Sequence, residues 1–549
     1  MNYLETGNGF SLCKDGVTFD FVTDLRPEKV GELLRFSVKG NAPVPALLDG
    51  DRILLPVGEG IALTVGEDNL VMNANGDFCS KLGTMSMVVV ERGGKFLLIS
   101  LDNGLHSAYD ARPVDGRYAL AVICRKECGV TYGVFDSLAE ACHYYRAGRG
   151  KVRTLAEKIA ANPAVKKLLD GGIFWVWNDN YDEVMYTDYD TDVTALVGDD
   201  YLAVAKALRE GGVDEAMMGI FYDGDSAMVE PLYREYGYMS TQYDNYNDVL
   251  DPAMLSIIPN NRAKNCGYTA RRMKDFPSGV QIKPDGTMKN AWALKGFDGE
   301  MHAQKTCCPA VAADAMRREI PEVLAQYPYY KGRFIDVYGC RLGDCYSDVH
   351  PLTTEDCLAV KNGAFRSIEE MGLIPGTENG FDAIMDHLAY TEGLHSPVIF
   401  QIPESGRKHA HVFNDEQVAH TEANMMQPSR RVPMWELAYH DCLMAFPYWG
   451  DSTESAPALT RRRVLYACLF GCPPLYSFSM KDFEALKPAI LESYAQITAV
   501  NRKVGLLPMT NYEVLSDDYN VQRTTFGDRY RVTVNFTEES VTFEDLNVS

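Results

Sequence analysis

Two acidic residues, Asp336 and Glu378, are placed where side chains could do chemistry. Asp336 directly follows the apolar pair Phe334-Ile335, Glu378 closes a run that begins at Leu373, and a helical stretch separates them. A carboxylate at the end of a buried strand is costly unless it is hydrogen-bonded or functional. Two facing carboxyl groups are the minimal machinery for cleaving a glycosidic bond.

The expected distance between these two acids favours one version of that chemistry. Adjacent strands lie about 4.8 Å apart, so carboxyls at neighbouring strand ends could approach to about 5–5.5 Å, the separation found in retaining glycosidases. In that mechanism Asp336 attacks the anomeric carbon and Glu378 serves as acid and then base. The alternative is that Asp336 caps a turn and Glu378 pairs with an Arg or Lys.

The elements that must position the two acids form an alternating pattern of strands and helices from 171 to about 500. About eight strands with helical crossovers predict an α/β fold, a (β/α)8 TIM-like barrel whose functional residues gather at the C-terminal ends of the strands. The strands are predicted at Ile173–Trp177, Ala216–Phe221, Gly237–Thr241, Phe334–Val337, Leu373–Thr377, Pro397–Phe400, Leu443–Phe446 and Pro473–Phe478.

The flanking segments read as β-rich. Residues 1–150 carry short apolar runs between turn signals and end in a helical connector, which predicts an N-terminal β-sandwich. Within the connector, helices are expected at Leu138–Arg146 and Leu155–Leu169. The catalytic barrel is expected over 165–503, and a small C-terminal β domain over 504–549, with a hairpin turn at Gly527-Asp528.

Polar and aromatic residues follow the first three predicted barrel strands. Aromatic faces stack on the CH surfaces of sugars, and Asp and Asn side chains exchange hydrogen bonds with hydroxyls, although the same residues are common in turns. A later segment, read as leading into a strand, adds His440-Asp441 and Trp449. The candidate substrate-binding residues are therefore Trp177, Asn178, Asp179, Tyr222, Asp223, Tyr243, Asp244, His440, Asp441 and Trp449.

Composition excludes several classes of partner. The 549 residues carry a net charge of −23, which disfavours binding to nucleic acid and to anionic lipid. No window approaches 18 uninterrupted apolar residues, so a membrane span is not expected. The expected partner is a small oligosaccharide or glycoside, and homo-oligomerisation stays open. No cofactor is expected.

Cysteine usage indicates a reducing compartment. Many of the 14 Cys lie in apolar runs and no Cys-x-x-Cys motif is present, so we expect small core residues and no structural zinc. His409, His411 and His420 lack the Glu of a zincin motif, so no metal is expected there either. With no signal-peptide pattern at the N-terminus, a cytoplasmic location is predicted.

These motifs together resemble glycoside hydrolase families 101 and 129. The resemblance rests on the Ile335-Asp336-Val337-Tyr338 strand, the Thr377-Glu378 strand and the segment Pro433 to Asp441, and it covers roughly 170 to 500. It implies a retaining, exo-acting α-N-acetylgalactosaminidase in which Asp336 is the nucleophile, Glu378 the acid/base and Asp441 a further acidic residue of the site. The two acids are 42 positions apart in the sequence (378 − 336), which exceeds the spacing expected for the family.

Two alternatives remain on the same scaffold. An α-galactosidase, another α-glycosidase or a transglycosylase would use the same barrel, with the segments 223–248 and 250–305 setting the acceptor. A non-catalytic carbohydrate-binding barrel would bind sugar without releasing product.

Overall fold

The computed structural model describes residues 1–66, 74–177, 198–221, 223–258, 272–396 and 412–547. Within these ranges the chain forms antiparallel sheets at both ends and a parallel barrel between them. No helix of the described residues is long and apolar enough to cross a membrane.

The N-terminal region consists of two antiparallel sheets. A three-stranded sheet contains β1 (Asn2–Thr6), β2 (Gly9–Lys14) and β3 (Val17–Val22). A nine-stranded sheet contains β4 (Glu28–Val30), β5 (Leu33–Ala42), β6 (Arg52–Leu55), β7 (Ile61–Thr64), β8 (Ala74–Asp77), β9 (Met87–Arg92), β10 (Lys95–Leu101), β11 (Ser107–Val114) and β12 (Arg117–Phe135). Rings of Phe10, Phe21, Phe36 and Tyr132 contact one another across the two sheets. The two sheets therefore share an apolar core, as inward-facing residues at period two require.

Three short helices, α1 (Leu138–Ala147), α2 (Leu155–Ala161) and α3 (Ala164–Asp170), connect this region to the barrel. Helix α2 begins at a capping box formed by Thr154 and Glu157. The single helix expected over Leu155–Leu169 is divided at Asn162-Pro163, because proline has no N–H with which to continue the helix.

Eight parallel strands form the barrel, and all of their residues are buried. They are β13 (Ile173–Trp177), β14 (Met217–Ile220), β15 (Met239–Asp244), β19 (Gly332–Ile335), β20 (Ile374–Glu378), β21 (Tyr390–Glu392), β22 (Met444–Phe446) and β23 (Leu475–Ser479). From β13 to β22 each barrel strand pairs with the next barrel strand along the chain, and β23 pairs with β13. Between β22 and β23 no ladder forms in the described residues, so the barrel is nearly closed. The predicted TIM-like fold is confirmed.

Helices surround the barrel, and an insertion adds a small sheet. The helices are α4 (Gly198–Glu210), α5 (Val229–Tyr236), α6 (Pro309–Gln326), α7 (Thr354–Glu370), α8 (Asp415–Met425), α9 (Met434–Tyr439), α10 (Pro457–Phe470) and α11 (Met480–Val504). Short 3₁₀ turns occupy Asp223–Met228, Pro252–Ser256, Asp382–His387 and Trp449–Asp451. The sheet of the insertion contains β16 (Asp248–Val249), β17 (Asn290–Lys295) and β18 (Met301–Thr306).

Small residues make room for aromatic rings inside the barrel. A Cβ on Gly219 would lie 2.2 Å from the Trp175 ring, and a Cβ on Gly376 would lie 2.0 Å from the ring of Tyr390. Glycine is therefore required at both positions, because a close-packed interior has no space for a further methyl group.

The sixth barrel strand differs from the prediction. The predicted strand Pro397–Phe400 lies outside the described residues, and the strand observed sixth in the barrel is Tyr390–Glu392. This strand could not be recognised in the sequence because it has three residues, two of them Thr391 and Glu392, and so presents no apolar run.

The C-terminal region is an antiparallel sheet of β24 (Met509–Val514), β25 (Val521–Phe526), β26 (Tyr530–Asn535) and β27 (Ser540–Asp545). Gly527 has a φ of 55° in the turn between β25 and β26, where a hairpin was expected. The domain boundaries 1–150, 165–503 and 504–549 stay predictions.

Candidate active site

Asp336 and Glu378 occupy adjacent positions at the C-terminal ends of β19 and β20. Ile335 is paired with Thr377 in the parallel register, so the next residue of each strand carries its carboxyl on the same, inward face. The two carboxyl groups lie within hydrogen-bonding reach of each other. The structure therefore brings the two predicted acids together at the end of a barrel where active sites form.

Asp336 is held by two donors from the preceding strand and the turn that follows it. The Tyr243 hydroxyl donates to Asp336 Oδ2 at 2.6 Å, and Asn245 Nδ2 donates to the same oxygen at 3.2 Å. Its backbone N–H donates to the carbonyl of Asp244 at 2.8 Å. Two side-chain donors on one oxygen favour the ionised form of the carboxyl and fix its direction.

Glu378 has weaker partners. Cys340 Sγ donates to Oε2 at 3.5 Å, and Asn379 Nδ2 donates to Oε1 at 3.3 Å. Lys81 reaches this side of the barrel from the loop between β8 and β9, where its backbone N–H donates to the Cys340 carbonyl at 2.8 Å. The N-terminal region thus contributes a positive charge near Glu378.

Burial and mutual repulsion disfavour two negative charges on this pair. Burial raises the pKa of Asp336 well above its usual value, the charge of Glu378 raises it further, and the Tyr243 hydrogen bond lowers it. Burial also raises the pKa of Glu378, while the charge of Lys81 lowers it. Because each charge disfavours the other, the two carboxyls titrate as a coupled pair.

The residue that follows each acid has a left-handed backbone. Val337 has a φ of 48° and Asn379 a φ of 52°. Asn is tolerated in this conformation, but a β-branched residue with positive φ is a true outlier that costs of order 1–3 kcal/mol. Strain of this kind persists where surrounding contacts over-determine it, and such positions cluster at functional sites.

Aromatic rings line the barrel beneath the acids. Trp175 stacks on Trp177 at 6.0 Å between ring centroids, and Trp449 packs on Phe334 at 5.3 Å and on Tyr243 at 5.9 Å. Three predicted binding residues, Trp177, Tyr243 and Trp449, therefore belong to the same aromatic cluster as the strand that carries Asp336. All three side chains are buried, and their role in substrate binding stays a prediction.

Glu392 is a third buried carboxyl at this end of the barrel that sequence reasoning missed. It pairs in register with Glu378, and its Oε2 accepts a hydrogen bond from Trp175 Nε1 at 3.0 Å. Burial raises its pKa well above the usual value, which favours its neutral form. The available signal was the position of Glu392 in the sequence, five residues before the predicted strand Pro397–Phe400.

Asn245 and Asp248 were also missed. Asn245 Nδ2 donates to both Asp336 and Asp248. Burial raises the pKa of Asp248. They belong to the run of polar and aromatic residues that follows β15, and the sequence offered no means of choosing among its members.

Asp244 lies on the opposite face of β15 from Tyr243, so its predicted role in substrate binding is wrong. It accepts a hydrogen bond from Arg333 Nε at 2.6 Å, and both side chains are fully buried. Successive strand residues point to opposite faces, so a strand that turns Tyr243 inward must turn Asp244 toward the surrounding helices.

His440 and Asp441 are likewise far from the expected role. The segment before them is helix α9, not a strand, and both residues precede β22, so they lie at the N-terminal end of the barrel. His440 contacts the carbonyls of Leu507 and Gly471 at 2.7 and 3.1 Å, and Asp441 forms an ion pair with Arg146. Both residues join the barrel to neighbouring elements. Their predicted role in substrate binding is therefore wrong.

Four remaining predictions cannot be placed. Asn178, Asp179 and Tyr222 lie outside the described residues, and of Asp223 only the 3₁₀ backbone is described. His409 and His411 are also outside them. In the ranges that the structure covers, two groups of metal-ligating side chains occur, and neither includes Asp336 or Glu378.

Comparison with known proteins finds similarity to glycoside hydrolases. Residues 407–525 match the family described as glycosyl hydrolases related to GH101 family, GH129. The resemblance to families 101 and 129 is confirmed. The match covers less than a quarter of the chain and includes neither Asp336 nor Glu378, so the roles of those residues stay predictions.

Solved structures of one enzyme are similar to this chain over nearly its whole length. The ligand-free α-N-acetylgalactosaminidase NagBb from Bifidobacterium bifidum is similar with a TM-score of 0.72 and 17% identity, over 98% of this chain and 98% of that one. A quadruple mutant of NagBb gives a TM-score of 0.71 at 18% identity over 99% and 90%, and its GalNAc complex 0.68 at 18% over 99% and 90%. At such identity the likeness shows the fold. No curated protein matches the chain by sequence.

Proposed function

We propose that this chain is a retaining, exo-acting α-glycoside hydrolase that releases α-linked N-acetylgalactosamine. The observation that carries the proposal is the contact between Asp336 and Glu378 on adjacent strand ends, above an aromatic-lined barrel. The match to the GH129 family and the likeness to NagBb support the choice of sugar.

In this proposal each acid takes the role that the resemblance to families 101 and 129 implies. The hydrogen bonds that Asp336 accepts from Tyr243 and Asn245 favour its ionised form, although burial and the charge of Glu378 raise its pKa. We take Asp336 as the ionised acid and Glu378 as the protonated one. Asp336 then attacks the anomeric carbon while Glu378 donates its proton to the departing oxygen, which breaks the glycosidic bond and forms a covalent glycosyl-enzyme. Glu378, now ionised, takes a proton from water, the water attacks the same carbon, and Asp336 departs as carboxylate.

The proposal is tested with a panel of aryl α- and β-glycosides followed by NMR of the first sugar released. We expect hydrolysis of the α-N-acetylgalactosaminide in preference to the α-galactoside and α-glucoside, with the α-anomer formed first. Release of the β-anomer would contradict retention. A clear preference for the α-galactoside or α-glucoside would reject the choice of sugar, and binding without release would favour a carbohydrate-binding protein.

Replacing Tyr243 by Phe should shift the pH dependence of activity. The hydroxyl lowers the pKa of Asp336, so its removal raises that pKa, and the acid limb of kcat/KM moves to higher pH. A hydrogen bond to a charged group contributes about 1.5–3 kcal/mol, which corresponds to a loss in kcat/KM of about ten- to a hundredfold. The measurement is a pH profile beside that of Tyr346→Phe, an exposed tyrosine expected to behave as the unmodified chain. A loss of activity with the acid limb unmoved would mean that Tyr243 contributes packing alone.

A further inference from the structure

Cys308, Cys345 and His350 bring their ligand atoms within 4.8 Å of one another outside the active site. Both cysteines are buried and the histidine is half-buried. The three residues come from different elements. Cys308 directly precedes helix α6, and the other two belong to the long connection between β19 and helix α7. The cluster thus joins two segments that the backbone alone leaves separate.

The spacing of the cluster suits a tetrahedral zinc ion. Cys345 Sγ and His350 Nδ1 are 3.5 Å apart. With Zn–S of about 2.3 Å and Zn–N of about 2.0–2.1 Å, two ligands of a tetrahedral zinc stand about 3.6 Å apart. Soft thiolate sulfur combined with imidazole selects zinc over the oxygen-preferring cations Mg²⁺ and Ca²⁺.

The histidine is already oriented for this role. His350 Nε2 lies 2.6 Å from the carbonyl oxygen of Ser278. A carbonyl oxygen only accepts, so Nε2 carries the proton and Nδ1 presents its lone pair toward Cys345. A backbone carbonyl that fixes the tautomer in this way is the usual outer partner of a metal-bound histidine.

The second group of ligating side chains provides a contrast. Glu59, His395 and Cys472 also cluster, but Arg431 donates to Glu59 through Nε at 2.6 Å. A guanidinium already supplies the positive charge there, so this group is a satisfied ion-pair network. Lys289 interacts electrostatically with Cys345, but no lysine or arginine of the described residues forms a hydrogen bond or ion pair with Cys308, Cys345 or His350.

We propose that Cys308, Cys345 and His350 bind a zinc ion, with water in the fourth position. Binding displaces one proton from each thiol, and these two protons pass to solvent. Affinity should fall as pH is lowered, because the thiolate and not the thiol binds the ion. The ion would link the connection between β19 and helix α7, which begins at Asp336, to the start of helix α6. This departs from the sequence-based expectation of no structural zinc.

The test uses the full chain and reads metal content and thermal stability. Protein purified under reducing conditions with added zinc should hold one equivalent after desalting. Zinc should raise the Tm of the chelator-treated chain, and Co²⁺ should give sulfur-to-cobalt charge-transfer absorption with the strong visible bands of a tetrahedral site. Cys345→Ala and His350→Ala should lose both the metal and the Tm shift. Cys357→Ala, which removes a buried cysteine outside the cluster, should keep them.

Three results would overturn the proposal. The first is reduced, unmodified chain that takes up neither zinc nor cobalt at excess metal, a result that needs no variant to fold. The second is chain isolated without reductant in which peptide mapping finds Cys308 and Cys345 joined in a disulfide, with the mass lower by two hydrogens. The third is metal retained in Cys345→Ala, which would reject this ligand set.

Discussion

Replacing Asp336 by Asn is expected to reduce kcat for an aryl α-N-acetylgalactosaminide by at least ~10⁴-fold, the scale found when a nucleophile is removed. Asn has nearly the same shape and still accepts the hydrogen bond from Tyr243, but it cannot form the covalent glycosyl-enzyme. The measurement is single-turnover hydrolysis beside Asp348→Asn, which changes an exposed aspartate of the same connection and should leave the rate unchanged.

The free energy of unfolding should stay the same or rise in Asp336→Asn. Burial and the Glu378 charge raise the pKa of Asp336, and a raised carboxyl pKa means that stability is lost as pH rises through it. The neutral amide removes that loss, so its advantage should grow with pH and be measurable by chemical denaturation at two pH values. A strongly destabilised variant would instead indicate a structural role for Asp336.

A second variant at the same position tests whether Asp336 is the nucleophile or is a residue whose replacement lowers activity in another way. In Asp336→Gly the face of the sugar opposite the leaving group is open, and added azide should form a C–N bond there while the aryl oxygen leaves with the proton of Glu378. The product should be the β-glycosyl azide. Near-normal turnover in Asp336→Asn, or an α-glycosyl azide from Asp336→Gly, would assign the nucleophile elsewhere.

The barrel could be predicted where its strands are apolar runs and not where they are short or polar. Ile173–Trp177 and Ile374–Glu378 are recognisable because each is a continuous buried segment. Tyr390–Glu392 is not, because its burial comes from neighbouring strands rather than from its own residue types.

The candidate site was predictable in its acids but less so in its surroundings. Polar residues after β15 indicated a functional edge, but strand register decides that Tyr243 faces Asp336 while Asp244 pairs with Arg333. The segment containing His440-Asp441 was interpreted as leading into a strand at the functional edge, whereas α9 ends just before this pair and places it at the opposite end of the barrel. Interactions between segments that are distant in the chain, such as that of Lys81 with Glu378, cannot be predicted from local sequence patterns.

Replacing Glu378 by Gln should affect substrates according to their leaving groups. An alkyl glycoside, whose oxygen must be protonated to leave, should lose about 10²–10⁴-fold in kcat/KM, the usual contribution of general acid–base catalysis. An activated aryl glycoside leaves without protonation and should keep most of its kcat/KM. Its kcat should fall because the ionised Glu378 is no longer present to activate water, so aryl alcohol should appear in a burst as the glycosyl-enzyme accumulates.

The pH profile and azide products complete the assignment of Glu378. Burial raises the pKa of Glu378, so in the unmodified chain the basic limb of kcat/KM should report its ionisation, and that limb should vanish in Glu378→Gln. Glu370→Gln, at an exposed position of α7, is the matched control and should keep both limbs.

With Glu378→Ala, azide should attack the glycosyl-enzyme and give the α-glycosyl azide, opposite in configuration to the product of Asp336→Gly. If alkyl and activated aryl glycosides lost kcat/KM by the same factor in Glu378→Gln, this carboxyl would not be the proton donor, and Glu392 would be the next group to test.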